Sequence, residues 1–417
     1  MKNTRPVAID LFSGAGGMSL GIEASGFDVR YCVELDPIHC AVHKFNFPDC
    51  ETVCSDLRLL NAGGFFDNIQ CDIDLIVGGP PCQGFSHIGQ RQFDDPRNSL
   101  VYEYCKVLKK IKPKYFLFEN VPGISTGKHQ IFLLELIEKL ERMGYNVQSP
   151  RILNAADFGV PQNRKRLILL GARDGLPIPT FPKPTHAPQP SLLNNIEHYL
   201  GAKDAIGDLE NIDVYLDTDL GIPVDKLDYS GPRSIYSFDP LSQYYLCHRR
   251  GFRNRIVFGH IGSKHTKVST DRFIKTPQGA TEPISRFYKL HPLHPCNTLR
   301  AGTASDRGAY TAPRPIHYSK PRCISVREAA RLHSYPDWFM FHSTIWHGFR
   351  EIGNSVAPLF AKNLGDVIIE ALGVDVSTIG FSQLAPSDLL LLNMNMTEAS
   401  NYFGVSQVIP PRRRANA

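Results

Sequence analysis

The first 175 residues alternate short apolar runs with longer segments in which apolar residues recur at helical spacing. Apolar runs bounded by turn residues predict β-strands, and the periodic segments predict helices. Regular alternation of the two indicates an α/β fold with a Rossmann-like, doubly wound and mostly parallel sheet. The predicted strands are Val7–Leu11, Tyr31–Leu35, Thr52–Ser55, Asp74–Val77, Tyr115–Glu119, Val147–Leu153 and Arg166–Leu170, and the predicted helices cover residues 17–26, 37–46, 98–112 and 129–143.

The alternation stops at a proline-rich stretch, residues 176–190, which indicates a domain boundary. The polar, turn-rich segment that follows, to about residue 320, predicts a smaller, loop-rich second domain. Helical signals return at Ser325, an N-cap with Glu328 three residues later, and a last helix is expected to run to about Leu372. We therefore expect a domain from residues 1–175, a second from 176–320, a segment from 321–372 that completes the first, and a tail from 373–417.

The tail contains a segment, residues 396–406, that looks like the opening half of a helix-turn-helix. Pro410 and Pro411 follow it too closely for a normal recognition helix, because proline cannot continue a helix. We interpret the tail as a packing or disordered segment and keep an additional DNA-binding arm as the second option.

The chain carries a net charge of +5, but the charge is unevenly distributed. Residues 201–230 hold two Lys/Arg and eight Asp/Glu, whereas residues 231–320 hold 15 Lys/Arg and four Asp/Glu. A basic block that also contains Tyr, Phe and His suits a polyanion surface, although a solvated face balanced by acidic neighbours has the same composition.

Ten cysteines stand at irregular spacings, without a Cys-x-x-Cys pair, so we expect reduced thiols and no metal site. Cys50 and Cys54 are the nearest candidates for a metal, and small buried side chains explain them equally well. No apolar run is long enough to cross a membrane, and residues 1–6 lead directly into a strand, so we expect no signal peptide. A cytoplasmic protein is the natural interpretation.

The first predicted strand leads into a glycine-rich turn, Gly14-Ala15-Gly16-Gly17, where the backbone can approach a ligand closely. The third glycine of the dinucleotide fingerprint is absent, because position 19 is Ser. The second strand ends near Glu34, whose carboxylate suits ribose hydroxyls, and the third ends near Asp56, which suits an adenine amino group. Asp56 alone could equally cap a helix, but the three features in series indicate an adenosine site.

A stiff Gly78-Gly79-Pro80-Pro81 turn places Cys82 at the carboxyl end of the fourth strand. Ligands bind at that edge of an open α/β sheet, and a thiol held there by fixed φ angles is a candidate nucleophile. A solvent-facing cysteine on an ordinary turn is the alternative.

These motifs resemble the DNA (cytosine-5)-methyltransferases, of the bacterial restriction-modification or solitary type. The match covers nearly the whole chain to about residue 372, in the order of the family. It comprises Asp-Leu-Phe-Ser-Gly-Ala-Gly-Gly at 10–17, Gly-Gly-Pro-Pro-Cys-Gln-Gly-Phe-Ser at 78–86, Asp-Pro-Arg-Asn-Ser-Leu at 95–100, Glu-Asn-Val at 119–121, Gln-Asn-Arg-Lys-Arg at 162–166 and Gly-Asn-Ser-Val-Ala-Pro at 353–358. The family more often has Pro-Pro where this chain has Ala357-Pro358, a change that we expect to be neutral.

The resemblance implies an S-adenosylmethionine-dependent methyltransferase fold and C5 methylation of a cytosine flipped out of a short duplex DNA sequence. Cys82 would add to cytosine C6, a protonated Glu119 would donate to N3, and Arg166, with Arg164, would lie near the pyrimidine oxygen and the backbone phosphate. The residues implied for S-adenosylmethionine are Phe12, Gly14, Gly16, Gly17, Glu34, Leu35, Asp56, Leu57, Leu100, Asn354, Ser355 and Val356.

The basic second domain would then be a target-recognition domain that holds phosphates and reads bases. We expect a monomer associated with the nucleoid, functionally paired with a restriction endonuclease or solitary. The expected DNA-binding residues are Gln83, Ser86, Arg97, Arg249, Arg250, Arg253, Arg255 and Arg300, with Arg307 as a further candidate.

Three alternatives remain open at this point. A tRNA cytosine-5 methyltransferase shares the catalytic motifs, although the long basic segment argues against it. A non-catalytic DNA-binding regulator could keep the fold, but it would not need Cys82, Glu119 and the cofactor carboxylates together. A nucleotide-dependent oxidoreductase is disfavoured by the incomplete glycine fingerprint.

Overall fold

The computed structural model describes residues 5–81, 99–127, 129–191, 195–216, 221–223, 226–227, 256–302, 314–379 and 388–406. The strands are β1 Val7–Leu11, β2 Asp28–Glu34, β3 Glu51–Cys54, β4 Leu75–Gly78, β5 Tyr115–Asn120, β6 Tyr145–Val147, β7 Arg151–Asn154, β8 Gln162–Asn163, β9 Lys165–Arg173, β10 His186–Ala187, β11 Glu197–His198, β12 Ile222–Pro223, β13 Ile256–Val257 and β14 Cys296–Asn297.

The helices are α1 Gly17–Ala24, α2 Pro37–Asn46, α3 Leu57–Ala62, α4 Ser99–Ile111, α5 His129–Arg142, α6 Ala202–Ile206, α7 Lys267–Lys275, α8 Val326–Leu332, α9 Ile345–Asn354, α10 Pro358–Leu372 and α11 Met396–Phe403. Short 3₁₀ turns cover Phe65–Asn68, Pro122–Ser125, Ala155–Phe158, Gly207–Leu209, Val376–Thr378 and Leu389–Leu392.

One sheet organises the fold, with the strand order β3-β2-β1-β4-β5-β9-β6 and β7 paired to β9. Strands β1 to β5 are parallel, whereas β6 and β7 run antiparallel to β9, and β9 runs antiparallel to β5. The carboxyl ends of the five parallel strands therefore meet at one edge, and β9 begins at that same edge. This arrangement confirms the predicted α/β class and is typical of a crevice that binds ligands.

The two faces of the sheet are buried by different helices. One apolar core joins the sheet to residues of α1, α8 and α10, and the other joins it to residues of α4 and α5. Because β1, β4 and β5 are covered on both faces, their residues are almost entirely buried, and such strands read as continuous apolar runs.

The predicted strand Val147–Leu153 is in fact two strands, β6 and β7. Gln148 N still donates to Leu170 O at 2.8 Å, but Pro150, which has no N–H to donate, lies in the break that follows. The prediction also omitted α3, a helix of only six residues that is N-capped by Asp56. Short helices of this kind carry too few apolar repeats to be recognised by periodicity.

Residues beyond the proline-rich stretch pack onto the same core as the sheet. Helix α6 contacts α8, and the buried Arg331 of α8 forms ion pairs with Asp208 at 2.5 Å and with Asp337 at 2.6 Å. Ser325 caps α8 as predicted, since its Oγ accepts Glu328 N and its own N–H donates to Glu328 Oε2. No helix among the residues described above combines the length and the apolar character needed to cross a membrane.

A close crossing of α1 and α10 makes a first prediction. A Cβ on Gly21 would overlap the carbonyl oxygen of Pro358 and the side chain of Ala361. We expect Gly21→Ala to lower the free energy of unfolding by about 1–3 kcal/mol through overpacking, measured by urea denaturation. Gly123→Ala is the matched control, because a Cβ there meets no described atom within 4 Å; equal losses for both variants would contradict this account.

Candidate active site

The turn after β1 has the shape expected of a loop that encloses a ligand. The N–H groups of Phe12 and Ser13 both donate to Val33 O, at 2.8 and 3.1 Å, which fastens the turn to β2. Phe12 has a φ of 64°, an uncommon left-handed conformation for a residue with a side chain, and Gly14 and Gly16 have φ values of 56° and 101°. The Ser13 Oγ is buried without a hydrogen-bond partner, so it retains capacity for a polar ligand atom.

The glycines of this turn serve two different purposes. A Cβ on Gly16 would overlap the ring of Phe47, and one on Gly17 would overlap Val356 O and Ser355 Cβ. These two positions are therefore glycine because protein atoms approach them. A Cβ on Gly14 would meet no described atom within 4 Å, so only there is the space beside the backbone open for a ligand.

Glu34 ends β2 beside this turn, and backbone groups hold its carboxylate. Its Oε2 accepts Gly14 N at 2.8 Å, and its Oε1 accepts the N–H groups of Leu35 and Asp36, each at 2.9 Å. Leu35 itself is 41% exposed, which is unusual for leucine and leaves an apolar surface beside the carboxylate. The structure thus places Phe12, Gly14, Glu34 and Leu35 together.

Asp56 follows β3 at the same edge and caps α3. Its Oδ1 accepts Arg58 N at 2.8 Å, and the hydrogen bond from the Arg58 side chain is the main cause that lowers the pKa of Asp56. Asp56 therefore does cap a helix, the alternative that its sequence position also allowed. Leu57 lies beneath it, 3% exposed within the apolar core.

Glu119, near the end of β5, is paired with an arginine that enters from β9. Its Oε1 lies 2.6 Å from Arg166 Nε, and both side chains are largely buried. A Cβ on Gly79 would lie 2.8 Å from Glu119 Oε2, so glycine is required where the turn after β4 passes the carboxylate. Asn120 Nδ2 donates to Pro80 O at 3.0 Å and fastens that turn, which leads directly to Cys82.

Arg164, two residues before Arg166, is bonded to backbone carbonyls. Its guanidinium is buried and donates to three backbone carbonyls, Leu299 O at 3.0 Å, Gly353 O at 2.9 Å and Ser355 O at 2.8 Å. Burial, and then the charge of Arg166, lower the pKa of Arg164 to about 9. The structure therefore brings Arg166, and not the Arg164 head group, onto Glu119.

The segment 296–300 docks onto the residues just before Arg164. Strand β14 pairs with β8, Thr298 Oγ1 donates to Asn163 O at 2.6 Å, and Leu299 N donates to Gln162 Oε1 at 3.1 Å. The backbone of Arg300 and Ala301 then passes so close to Gly353 that a Cβ there would overlap it. Arg300 is exposed at this junction, beside the candidate site. Sequence reasoning missed Gln162 as the link, although it opens the quoted Gln-Asn-Arg-Lys-Arg motif.

The remaining cofactor candidates line the end of α9. Ser355 Oγ donates to Ile352 O at 2.8 Å, and the Ser355 carbonyl accepts Arg164 and His333. The Val356 carbonyl packs on Gly17, and Asn354 is exposed. Leu100 is half-buried at the start of α4, away from these contacts in the chain but on the same sheet edge.

A buried chain of polar groups lies under the glycine turn, and sequence reasoning missed it. Ser19 Oγ donates to Asp10 Oδ2 at 2.6 Å and lies 3.0 Å from His43 Nε2, while His43 Nδ1 lies 3.2 Å from Cys32 Sγ. When Asp10 is ionised, the donors can all point one way, from Cys32 through His43 and Ser19 to the carboxylate. The available signal was Asp10, a charged residue in an otherwise apolar strand.

The same cluster bears on the expected lack of a metal site. Three potential metal-ligand atoms lie within 4.8 Å of one another, one each from the buried side chains of Cys32, His43 and Cys50. Their spacing along the chain, with a strand and a helix between them, is not one that indicates zinc. In this structure the Cys32 and His43 atoms are engaged with each other by the hydrogen bonds above.

The other sequence-predicted residues lie outside the described part of the chain. They are Cys82, Gln83, Ser86, Arg97, Arg249, Arg250, Arg253 and Arg255, together with Arg307.

Comparison with known proteins agrees with this geometry. The C-5 cytosine-specific DNA methylase family model matches residues 7–370. The Type II methyltransferase M.XorII of Xanthomonas oryzae pv. oryzae is 48% identical over 98% of this chain and 95% of its own. The Type II methyltransferase M1.HphI of Haemophilus parahaemolyticus is 32% identical over 87% of this chain and 86% of its own.

Solved structures show the same fold. A prophage-encoded DNA modification methyltransferase from E. coli superposes with a TM-score of 0.71 at 34% identity, covering 88% of this chain and 100% of that one. The S. pombe Dnmt2 methyltransferase superposes with a TM-score of 0.56 at 16% identity over 89% of this chain and 100% of that one, a likeness of fold alone.

The fold and the site define an α/β methyltransferase. The chain belongs to the C-5 cytosine-specific DNA methylase family and is a DNA (cytosine-5)-methyltransferase.

Asp10 makes a prediction about pH. Burial raises the pKa of Asp10 from 3.8 to about 7, although the Ser19 hydrogen bond acts in the opposite direction. Between those values the folded protein retains a proton that the unfolded chain has lost, so this group's contribution to stability is lost as pH rises towards 7. Asp10→Asn has no such group to lose. The free energy of unfolding of this variant, minus that of the unaltered protein, should therefore increase by about 2–4 kcal/mol between pH 4 and pH 8.

Urea denaturation at several pH values measures this difference. Ser19→Ala is a useful second variant. It keeps the Asp10 carboxyl but removes the Ser19 hydrogen bond, which lowers the pKa of Asp10 and so opposes the effect of burial. The pH-dependent loss should then be larger than in the unaltered protein. If the free energies of unfolding of Asp10→Asn and of the unaltered protein differ by the same amount at every pH, the raised pKa of Asp10 is contradicted.

Proposed function

We propose that the enzyme methylates C5 of a cytosine within one specific short duplex DNA sequence, with S-adenosylmethionine as methyl donor and Cys82 as nucleophile. The observation that carries this proposal is the Glu119–Arg166 pair, at 2.6 Å, beside the Gly79-Pro80 turn that leads into Cys82. An acid and a cation meet there at the carboxyl edge of the sheet, beside the turn that precedes Cys82 in the chain, and ligands bind at that edge of an open α/β sheet.

The residues of the first turn fit S-adenosylmethionine. Glu34 has both carboxylate oxygens fixed by backbone N–H groups, and it still has lone pairs for ribose hydroxyls. Phe12 and Leu35 supply apolar surfaces for adenine, with Asp56 at the rim, and Ser13 Oγ and the open side of Gly14 are free for polar atoms of the ligand. When bound, this group supplies an electrophilic methyl carbon.

The chain's own residues would carry the chemistry at the base. Cys82 attacks cytosine C6, which disrupts the aromaticity of the ring and places electron density on C5. Glu119 hands a proton to N3 and stabilises that charge, and Arg166 keeps the carboxyl oriented and adds positive charge near O2. After methylation, the C5 proton is lost to a base that we do not assign, Cys82 departs as the thiolate in which it attacked, and the N3 proton returns to Glu119. These steps restore the aromatic ring and the protonated carboxyl.

Access to both faces and the edge of the base requires the cytosine to leave the duplex, at a cost of a few kcal/mol. We assign duplex binding to the segment 176–320, whose basic residues would contact phosphates and bases. The docking of residues 296–300 on Gln162 and Asn163, which lie shortly before Arg166 in the chain, supports the inclusion of Arg300 in this set. Gln83, Ser86, Arg97, Arg249, Arg250, Arg253 and Arg255 remain candidates for the same surface.

Arg164 is assigned a positioning role in this scheme. Its three carbonyl partners belong to the segment leading to Arg300 and to the end of α9. It thereby sets the distance between the expected DNA side and the expected cofactor side without touching either reactant.

The names of the two relatives, both Type II methyltransferases, support a Type II enzyme of a restriction-modification system. We further propose that it acts as a monomer in the cytoplasm on nucleoid DNA. A functionally paired endonuclease need not form a stable contact, because both proteins would meet only the same DNA sequence. The competing activity, methylation of tRNA, is disfavoured by the 48% identity to M.XorII over nearly the whole chain.

Methyl transfer is tested with tritiated S-adenosylmethionine and unmethylated genomic DNA, followed by bisulfite sequencing, with a tRNA pool as the competing substrate. We expect incorporation into DNA at one discrete motif. Cys82→Ala should abolish incorporation while leaving the dissociation constant for S-adenosylmethionine nearly unchanged. Normal turnover by Cys82→Ala would overturn the mechanism, and incorporation into tRNA alone would overturn the substrate.

Glu119→Gln tests the acid separately. The amide keeps the shape and the contact with Gly79 but cannot supply a proton, so we expect kcat to fall by about 10²- to 10⁴-fold. Glu103→Gln, a change of the same type at a buried carboxylate bonded to Asn61 and Lys106, is the matched control. Comparable losses of kcat in both variants would show a general effect on the fold and not proton donation.

A further inference from the structure

The C-terminal segment, residues 388–406, has no counterpart in the family match, which ends at residue 370. It is nevertheless ordered into a 3₁₀ turn, Leu389–Leu392, and the helix α11, and both pack against α2. The alignment with M.XorII extends over 98% of this chain, whereas that with M1.HphI covers 87%. The segment is therefore an addition to the common fold that calls for an explanation.

The buried side of this segment reaches the cofactor turn. Leu391 and Leu392, each 4% exposed, form an apolar cluster with Ala41, Val42 and Phe45 of α2 and with Ala15. Ala15 lies between Gly14 and Gly16, so the cluster supports the glycine turn. Displacing the two leucines would leave that support incomplete.

Hydrogen bonds join the same segment to the approach to α9. Ser343 N donates to Leu392 O at 2.9 Å, and His342 Nε2 donates to Met394 O at 3.0 Å. His342 N in turn donates to Glu351 Oε2 at 3.1 Å, within α9. This helix ends at Asn354, beside the Val356 carbonyl that packs on Gly17.

An ion pair also joins α9 to α2, near Glu34. Arg350 of α9 lies 3.4 Å from Asp36, the N-cap of α2, whose N–H donates to the Glu34 carboxylate. The C-terminal segment thus contacts the glycine turn, which carries candidate cofactor residues, and two neighbouring elements that lead to the others. Helix α2 is linked to Glu34 through Asp36, and the residues preceding α9 are linked through Glu351 to the helix that ends at Asn354.

We propose that the C-terminal segment positions the S-adenosylmethionine site, with Leu391 and Leu392 as its positioning residues. The inference rests on the proposed function, since it takes S-adenosylmethionine as the ligand of that site. The two leucines act through Ala15 and α2, and they belong to binding of the methyl donor and not to the methyl-transfer step.

Four consecutive leucines supply a matched experiment in the full-length chain. Leu391 and Leu392 are buried, whereas Leu389 and Leu390 are 62% and 65% exposed in the same turn. We expect the double variant Leu391→Ala/Leu392→Ala to raise the dissociation constant for S-adenosylmethionine, measured by calorimetry, at least fivefold. At saturating S-adenosylmethionine, its kcat should stay within twofold of the unaltered enzyme. The double variant Leu389→Ala/Leu390→Ala should stay within twofold in both quantities.

Stability is controlled by measuring binding well below the thermal midpoint of each variant, with circular dichroism to verify folding. Should the double variant not fold, Leu392→Ala and the conservative Leu392→Met take its place; the first should weaken binding and the second should restore it. Unchanged affinity in a destabilised variant, or equal losses in affinity and kcat, would overturn the inference. Failure of the unaltered enzyme to bind S-adenosylmethionine would instead remove the proposed function, and the inference with it.

Discussion

The buried guanidinium of Arg164 is the contact on which the rest of the site depends. A charge removed from water is tolerated only where polar groups replace the lost solvent, and here three backbone carbonyls do so. Those carbonyls belong to Leu299, Gly353 and Ser355, more than a hundred residues further along the chain. One side chain on the sheet edge therefore fixes the loop that leads to Arg300 and the end of the helix that meets the glycine turn. Loss of the guanidinium would remove a donor from three carbonyls at once, and Ser355 O would keep the hydrogen bond from His333.

The glycines around this junction show how closely the parts are assembled. Gly17 makes room for the carbonyl of Val356, Gly353 makes room for the backbone of Arg300 and Ala301, and Gly79 makes room for the Glu119 carboxylate. In each case the missing Cβ allows one segment to approach another. Among the three glycines of the turn after β1, only Gly14 has open space beside it, so this glycine-rich motif reflects internal packing at least as much as ligand contact.

The site has two halves that are held by different means. On the half proposed for catalysis, the ion pair between Glu119 and Arg166 and the hydrogen bond from Asn120 to Pro80 O fix the groups proposed to surround the base. On the half proposed for the cofactor, backbone donors fix Glu34, and the C-terminal segment contacts the glycine turn at Ala15 and packs on α2. Strand pairing alone fixes the ends of the strands only to within the spacing between strands. The side-chain contacts described above fix the positions of the functional groups more closely, as a reaction requires.

The sequence by itself determined the α/β class, the order of the first strands and helices, the capping of α8 and the motifs that place Glu34, Glu119 and Arg166 at one edge. These features follow from local periodicity, capping and turn chemistry, which act over a few residues. Only the tertiary structure decided that Arg164 donates to carbonyls, that Gln162 docks the segment before Arg300, that Asp10 ends a buried polar chain, and that Leu391 and Leu392 pack against α2 and Ala15. Each of these depends on residues far apart in sequence, whose meeting is set by packing of the whole chain and leaves no periodic trace in the sequence.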